Sequence, residues 1–498
     1  MKKTMPPEDE IDLNAPMNLD PHPDQMRALG YRVVDLIVDH RSNLERKPAY
    51  NHKSRAELDV FFREELPRAP SDPMEILDRV ARHGLTAIGH VDHPRFFGYV
   101  PGPGSFVGAM ADALSAGYNV FAGNSFVASG PAAIEAETLK WLRTLMGFPQ
   151  SAAGIFLSGG SMANLTALHT ARARLLKNGQ GHDETLVVYG TSQGHSSIGK
   201  ALRILGFSQD QFRNVPTDNK QRMDCGTLRS MIETDKAAGR TPWLVAATAG
   251  STNTGAIDPL ENIRTVCDSY KIWMHVDGAY GAAAVFDSSS KPLLKGIESA
   301  DSLVLDPHKW WFQPFEIGCV LIRDGHALRE AFSMEAEYLR EAREIYERSV
   351  QPDEQDPLTD AVNFYDMGPQ LTRSFRALKL WMFIQTNGAD RIARMVTRGV
   401  KMAEAAEAWI DASHDWRIAT PACIGTLTFR PRDKAHQSPN RIKRAVDSYL
   451  KSGFGLITTT ELNGEKLFRL CCIHPASRLD DITESLKRLA VELRNGAA

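Results

Sequence analysis

The stretch DSLVLDPHKWWFQP occupies residues 301–314. Leu303, Val304 and Leu305 form a short apolar run that reads as a buried strand. The strand then delivers Asp306, Pro307, His308 and Lys309 against two tryptophans. A lysine in apolar company does one of two things: its charge snorkels back to water, or its amine is kept neutral and reactive. Pro307 argues against a mid-strand position, and Trp310 and Trp311 argue for partial burial. Desolvation lowers a lysine pKa, so Lys309 is expected to carry a depressed pKa suited to attack on an aldehyde.

Similar short apolar runs flank this one. They are GIFLSGG, TLVVYG, WLVAATAG, IWMHVDGAY and GCVLIR, and helical patterns separate them from about residue 105 to 385. Short apolar strands alternating with helices predict an α/β fold with a mostly parallel sheet covered on both faces. Before it, Met26, Leu29, Val33, Leu36 and Ile37 repeat at helical spacing. After about 390, a helix rich in Ala and Met leads to strands at GTLTFRP and KLFRLCCIH and a last helix near Asp480 to Leu493. The expected organisation is an N-terminal helical segment (1–100), a large α/β domain (101–385) and a small α+β domain (386–498).

The chain has 498 residues, a formal net charge of −3, and 24% charged residues without a basic block, which argues against a nucleic-acid partner. No run approaches the roughly 20 apolar residues of a membrane helix. No signal-peptide core follows the polar N-terminus. The six cysteines form no metal-type CxxC pair. A reduced cytoplasmic protein is the expectation.

In open α/β sheets, ligands bind beyond the carboxyl ends of the strands. The run before Ser158 leads into SGGSMANL, where Gly159 and Gly160 leave the backbone bare, Ser161 supplies a hydroxyl and a helix begins. That is an anion site or an ordinary strand–turn–helix cap. WMHVDGAYG (273–281) places Trp273, His275 and Asp277 on one strand face. Asp277 is a turn former or a buried carboxylate held against a cationic ring nitrogen. His195 precedes a helix among Gly and Ser. Each signal has a structural reading. As a set, an anion cup, an imidazole, a carboxylate and a lysine describe a site for pyridoxal 5'-phosphate.

The motifs HPRFFGYVPG (93–102), SGGSMANL (158–165), SQGHSS (192–197), HVDGAYG (275–281), DPHKWW (306–311) and LTRSFRALKLW (371–381) together resemble the group II pyridoxal-phosphate decarboxylases, nearest the aromatic-L-amino-acid branch. The resemblance runs from about Pro21 to the C-terminus. It implies an aspartate-aminotransferase-like (fold type I) architecture, pyridoxal phosphate as cofactor, and a homodimer with shared active sites whose N-terminal helices form much of the interface. Lys309 matches the lysine that holds the cofactor, Asp277 the partner of its ring nitrogen and His195 the histidine stacked on the ring. Gly160, Ser161, Thr252 and Asp306 match positions near the phosphate and a cofactor oxygen, with His308 beside them. Ala279 matches the small residue against the ring. Tyr338 matches a tyrosine on a loop that reaches the neighbouring subunit's substrate, and Tyr99, Pro101 and Gly102 match the substrate pocket.

Where the family often has Asn, this chain has Asp306, which is therefore expected to position His308 or a backbone N–H rather than touch phosphate. Val100 and Gly102 are smaller than in the branch, which is expected to enlarge or reshape the pocket. The expected reaction is α-decarboxylation of an L-amino acid, with an aromatic one leading. Phe96, Phe97 and Tyr99 are either pocket or core. The alternatives are a non-aromatic substrate, or an aldehyde synthase that couples decarboxylation to oxidative deamination. Synthases of this family commonly replace the loop tyrosine or the ring histidine, and Tyr338 and His195 are both present. An aminotransferase would want a carboxylate-clamping arginine, and a scaffold on an inactive fold would not need Lys309.

Overall fold

The structure is a computed structural model that describes residues 14, 19–177, 179, 184–334, 356–359 and 362–495. It divides into two compact units, one ending at Gly89 and one starting at His90.

The first unit is helical. Helix α1 (Pro23–Ser42) opens with proline at its first position and closes with His40 and Arg41 in its last turn. Helix α2 (Arg55–Phe62) starts with a capping box, in which Ser54 N donates to Glu57 Oε2 at 2.8 Å. Helix α3 (Pro73–Arg79) is capped by Asp72. No residue of α1 is buried, and Met26, Tyr31, Val33 and Val38 lie exposed along it.

The second unit holds a seven-stranded sheet and a four-stranded sheet. Helices α4 (Phe106–Gly117) and α5 (Ser129–Leu145) precede β1 (Ala153–Leu157), after which α6 (Gly160–Lys177) runs to β2 (Leu186–Gly190). Helix α7 (Ser196–Ile204), β3 (Phe212–Asn214), α8 (Cys225–Ala237), β4 (Thr241–Thr248), α9 (Leu260–Tyr270), β5 (Trp273–Asp277), β6 (Ser302–Leu305), β7 (Gly318–Ile322) and α10 (Gly325–Phe332) follow. The strand order is β1-β7-β6-β5-β4-β2-β3. The β2, β3, β4, β5 and β6 pairings are parallel, whereas β7 runs antiparallel to β1 and β6. Every residue of β1, β2, β5, β6 and β7 except Trp273 is buried, as expected for strands covered on both faces.

Because four strands lie between β1 and β2, α6 must cross the sheet between them. It packs on β5, β6 and β7 on the way. This crossing sets the N-terminal turn of α6 against the carboxyl ends of β5 and β6.

Helix α11 (Ala377–Ala412) has a kink at Gly388, whose φ of 67° leaves the helical region. It leads to the antiparallel sheet β10-β11-β9-β8, made of β8 (Trp416–Cys423), β9 (Thr426–Pro431), β10 (Thr458–Leu462) and β11 (Glu465–Cys471). Trp416, Phe429 and Phe468 form its aromatic core, closed by α12 (Pro439–Lys451) and α13 (Leu479–Asn495). Among the described residues, no helix is long and apolar enough to cross a membrane, and all six cysteines are free.

One buried ion pair fixes the end of β1. Arg373 Nη2 donates to Glu135 Oε1 at 2.5 Å and to Phe156 O at 2.9 Å, while Nη1 donates to Ala122 O at 2.8 Å. Both side chains are fully buried. Breaking such a pair strands the remaining charge and costs about 3–5 kcal/mol. Arg373→Met is therefore expected to lower the denaturation midpoint sharply, and adding Glu135→Gln should recover part of the loss. Equal midpoints for wild type and Arg373→Met would remove the pair from the account of how β1 is held.

Candidate active site

The turn after β6 is anchored by its tryptophans. Trp310 and Trp311 are 0% and 2% exposed, so their burial is complete rather than partial. Trp310 stacks on Tyr280 at 5.4 Å, and Trp311 meets Phe286 edge-on at 5.0 Å. With both rings buried, the turn is pinned, and the Lys309 side chain keeps 22% of its surface at a cavity.

Lys309 Nζ lies 2.9 Å from Asp306 Oδ2, and the Asp306 side chain is 2% exposed. The expected depression of the Lys309 pKa does not hold. Burial does push it down and is the largest single influence, but Asp306 and Asp277 together more than offset it, and the pKa is raised. The expected partners of Asp306 also need correction. Its main partner is Lys309, with His308 Nε2 further off at 3.6 Å. His308 Nδ1 accepts from Ile317 N at 3.4 Å, and burial lowers the His308 pKa.

At the end of β5, Asp277 is 7% exposed. Its Oδ1 accepts from Ala279 N at 3.1 Å, and its Oδ2 accepts from Asn164 Nδ2 at 3.0 Å. Asn164 sits one turn into α6 and is 1% exposed. It belongs to SGGSMANL, but sequence reading weighed only the glycines and Ser161. The signal was its spacing: three residues past Ser161, it shares the helix face that begins at the strand end.

The start of α6 stays bare for a steric reason. A Cβ on Gly160 would sit 2.8 Å from Asp306 Oδ2. His195 is the N-cap of α7, its Nδ1 accepting from Ser197 N at 3.2 Å, and its side chain stands exposed on the cavity wall. Partial burial of the ring, aided by Lys309 and Lys200, lowers its pKa against the opposing pull of Asp277 and Asp306.

These strand ends enclose a cavity of about 360 Å³, within the size range of small-molecule sites. Gly160, Ser161, His195, Thr252, Asp277, Ala279, Asp306, His308 and Lys309 all line it. The donor set suits pyridoxal phosphate: a bare helix start with a hydroxyl for an anion, a buried carboxylate for a ring nitrogen, and an amine for an aldehyde. Tyr99, Pro101 and Gly102 are not on that wall. Tyr99 is 65% exposed, and its carbonyl accepts from Arg469. Gly102 does not enlarge the pocket, because a Cβ there would lie 2.9 Å from His308 O. Its small size instead allows two backbone segments to approach. Phe96 and Phe97 are 3% and 0% exposed, and Phe97 packs into the core of the small sheet. Tyr338 lies outside the described residues.

A family model, the pyridoxal-dependent decarboxylase conserved domain, matches residues 56–432. The aromatic-L-amino-acid decarboxylase of Bacillus atrophaeus is 39% identical over 96% of this chain and 98% of its own length. A phenylacetaldehyde synthase of Arabidopsis thaliana is 28% identical over 94% of this chain and 96% of that protein. Among solved structures, an Oryza sativa TDC with PLP and tryptamine has a TM-score of 0.88 at 24% identity, covering 96% of this chain and 99% of its own. That last likeness bears on the fold alone. Most of the sequence thus lies within one conserved domain, and the chain belongs to the pyridoxal-dependent decarboxylase family.

Proposed function

We propose that this chain decarboxylates an aromatic L-amino acid to the amine and CO2. The observation that carries the reading is one cavity shared by Lys309, Asp277, His195 and the bare start of α6. The aromatic preference draws its support from the Bacillus atrophaeus relative.

Lys309 would hold the aldehyde of pyridoxal phosphate, Gly160, Ser161 and Thr252 its phosphate end, Asp277 its ring nitrogen, and His195 and Ala279 its ring. Bound cofactor supplies an aldehyde that links to amines and a ring that takes up the electron pair left when the carboxylate departs. Asp277 is fixed by two N–H donors and largely shielded from water, so it can keep a proton on its partner nitrogen. By the family resemblance, Tyr338 delivers a proton to the substrate Cα with help from His195. We further propose a homodimer in the cytoplasm. The exposed apolar residues along α1 would then be covered by a second copy.

Turnover of L-phenylalanine, L-tyrosine, L-tryptophan and L-DOPA, measured as CO2 and amine, should exceed turnover of acidic or aliphatic amino acids. Aldehyde and peroxide as main products would replace this reading with that of a synthase. Turnover confined to non-aromatic substrates would overturn the aromatic assignment.

The raised Lys309 pKa has a directional consequence. The amine must lose its proton before it attacks an aldehyde, so cofactor loading of the apoprotein should speed up with rising pH. Asp306→Asn removes the carboxylate charge 2.9 Å from the amine that raises its pKa, and more of the amine is then neutral at any given pH. Loading at neutral pH, followed by absorbance in a stopped-flow mixer, should be faster in Asp306→Asn. Slower loading, with the variant folded, would assign Asp306 a different role.

A further inference from the structure

Behind the cavity runs a series of buried polar groups. Trp273 Nε1 donates to Ser302 Oγ at 2.8 Å, and Ser302 Oγ lies 2.9 Å from His275 Nδ1. His275 Nε2 lies 2.9 Å from Asn164 Oδ1. Asn164 Nδ2 reaches both Asp277 Oδ2, at 3.0 Å, and Ser197 Oγ, at 2.8 Å. Ser197 Oγ is 2.8 Å from His195 Nδ1. Ser302 and His275 are 0% exposed, and Asn164 and Ser197 1%.

The two ends set the direction of the whole series. An indole N–H can only donate, and a carboxylate can only accept. Asp277 therefore takes an amide hydrogen of Asn164, which leaves Asn164 Oδ1 facing His275 Nε2, so in the neutral ring Nδ1 accepts from Ser302, whose oxygen accepts from Trp273. The hydrogen of His275 then sits on Nε2 and points at Asn164 Oδ1. Both amide hydrogens of Asn164 are left for Asp277 and Ser197. Ser197 accepts one of them, which leaves its own hydroxyl hydrogen for His195 Nδ1. Ser197 N also donates to that nitrogen, at 3.2 Å.

We infer that Asn164 is a positioning residue for the reaction: its amide holds Asp277 as an acceptor and, through Ser197, keeps His195 neutral with its single ring hydrogen on Nε2. A single amide therefore couples the carboxylate that would face the cofactor's nitrogen to the imidazole that would face its ring. The surrounding charges are compatible. His195 is faced by Asp277, Asp306, Lys309 and Lys200, and the net effect, led by burial, lowers its pKa. Burial pushes His275 down to about 4 against Asp277, so the middle of the series stays uncharged. The bearing of this arrangement on catalysis rests on the decarboxylase reading, whereas the hydrogen positions do not.

Neutron diffraction from crystals of the cofactor-loaded protein at neutral pH reads those positions directly. Deuterium is expected on Nε2 of His195 and of His275, and on Nδ1 of neither. Deuterium on Nδ1 of either ring overturns the inference, without need of any variant. The variant test is Asn164→Asp. Whether or not its carboxyl shares a proton with Asp277, it has no second hydrogen to give Ser197. The Ser197 hydroxyl then turns toward the new carboxyl, so His195 Nδ1 meets the Ser197 Oγ lone pair and keeps only the longer Ser197 N–H as a donor. The His195 midpoint in a ¹⁵N-histidine titration should rise by about one pH unit or more, the scale of a nearby-charge effect. A folded Asn164→Asp protein with the wild-type tautomer and midpoint would sink the proposal. Both readouts are made without turnover, so they fail or succeed independently of any assay of decarboxylation.

Discussion

Lys309→Ala is expected to reduce CO2 release to the background of the assay and to abolish the visible absorption band of bound cofactor. The reason is local. Among the described residues, Lys309 is the only lysine on the cavity wall, so no other amine there can take its place. The substitution also removes the cation paired with Asp306, whose side chain is 2% exposed. A buried carboxylate left without its partner is destabilising, and loss of activity could then reflect loss of fold. The Lys309→Ala/Asp306→Asn double variant separates the two effects. It should melt closer to wild type than Lys309→Ala alone and remain just as inactive. Near-wild-type turnover in either variant would end the account of this site.

Asp277→Asn is expected to lower kcat by at least about 10²-fold, the scale on which one aimed electrostatic stabiliser acts. Asp277 accepts from Ala279 N and from Asn164 Nδ2. An amide at this position has one oxygen, so in either orientation its NH2 meets one of those two N–H donors. The variant therefore loses the negative charge and gains a donor–donor conflict in a buried place. Asp277→Glu keeps the charge but moves it by one methylene, and should recover part of the rate if charge dominates. Equal rates for Asp277→Asn and wild type would show that the proton on the cofactor's ring nitrogen is held by something else.

Much of this arrangement could be read in the sequence, for identifiable reasons. Strands buried on both faces are near-continuous apolar runs, and each of the runs seen was a strand. In a sheet of this class, chemistry gathers at the carboxyl ends, so Ser161, His195, Asp277 and Lys309 could be grouped before any coordinates. The direction of β7 was not legible, because an apolar run of five residues looks the same in either orientation. Asn164 was passed over because its role depends on how α6 crosses the sheet, which only the strand order reveals. The sign of the Lys309 shift was misjudged for a related reason. Apolar neighbours in sequence announced burial, but Asp277 comes from another strand, and Asp306 turns back to the amine within one tight turn. The small size of Gly102 reads in the sequence as an enlarged or reshaped pocket, whereas the structure brings its backbone close to His308 O. A missing side chain does not say whether the space is empty or filled by another backbone.

The central claim is that Lys309 is the residue through which this chain holds its cofactor. The most direct measurement is borohydride reduction of the cofactor-loaded protein, followed by proteolysis and mass spectrometry. One pyridoxyl-modified lysine per chain is expected, on the peptide that contains Asp306, His308 and Lys309, with fragment ions placing the added mass on Lys309. Modification at another lysine, or none at all in protein that carries the cofactor, would contradict the account.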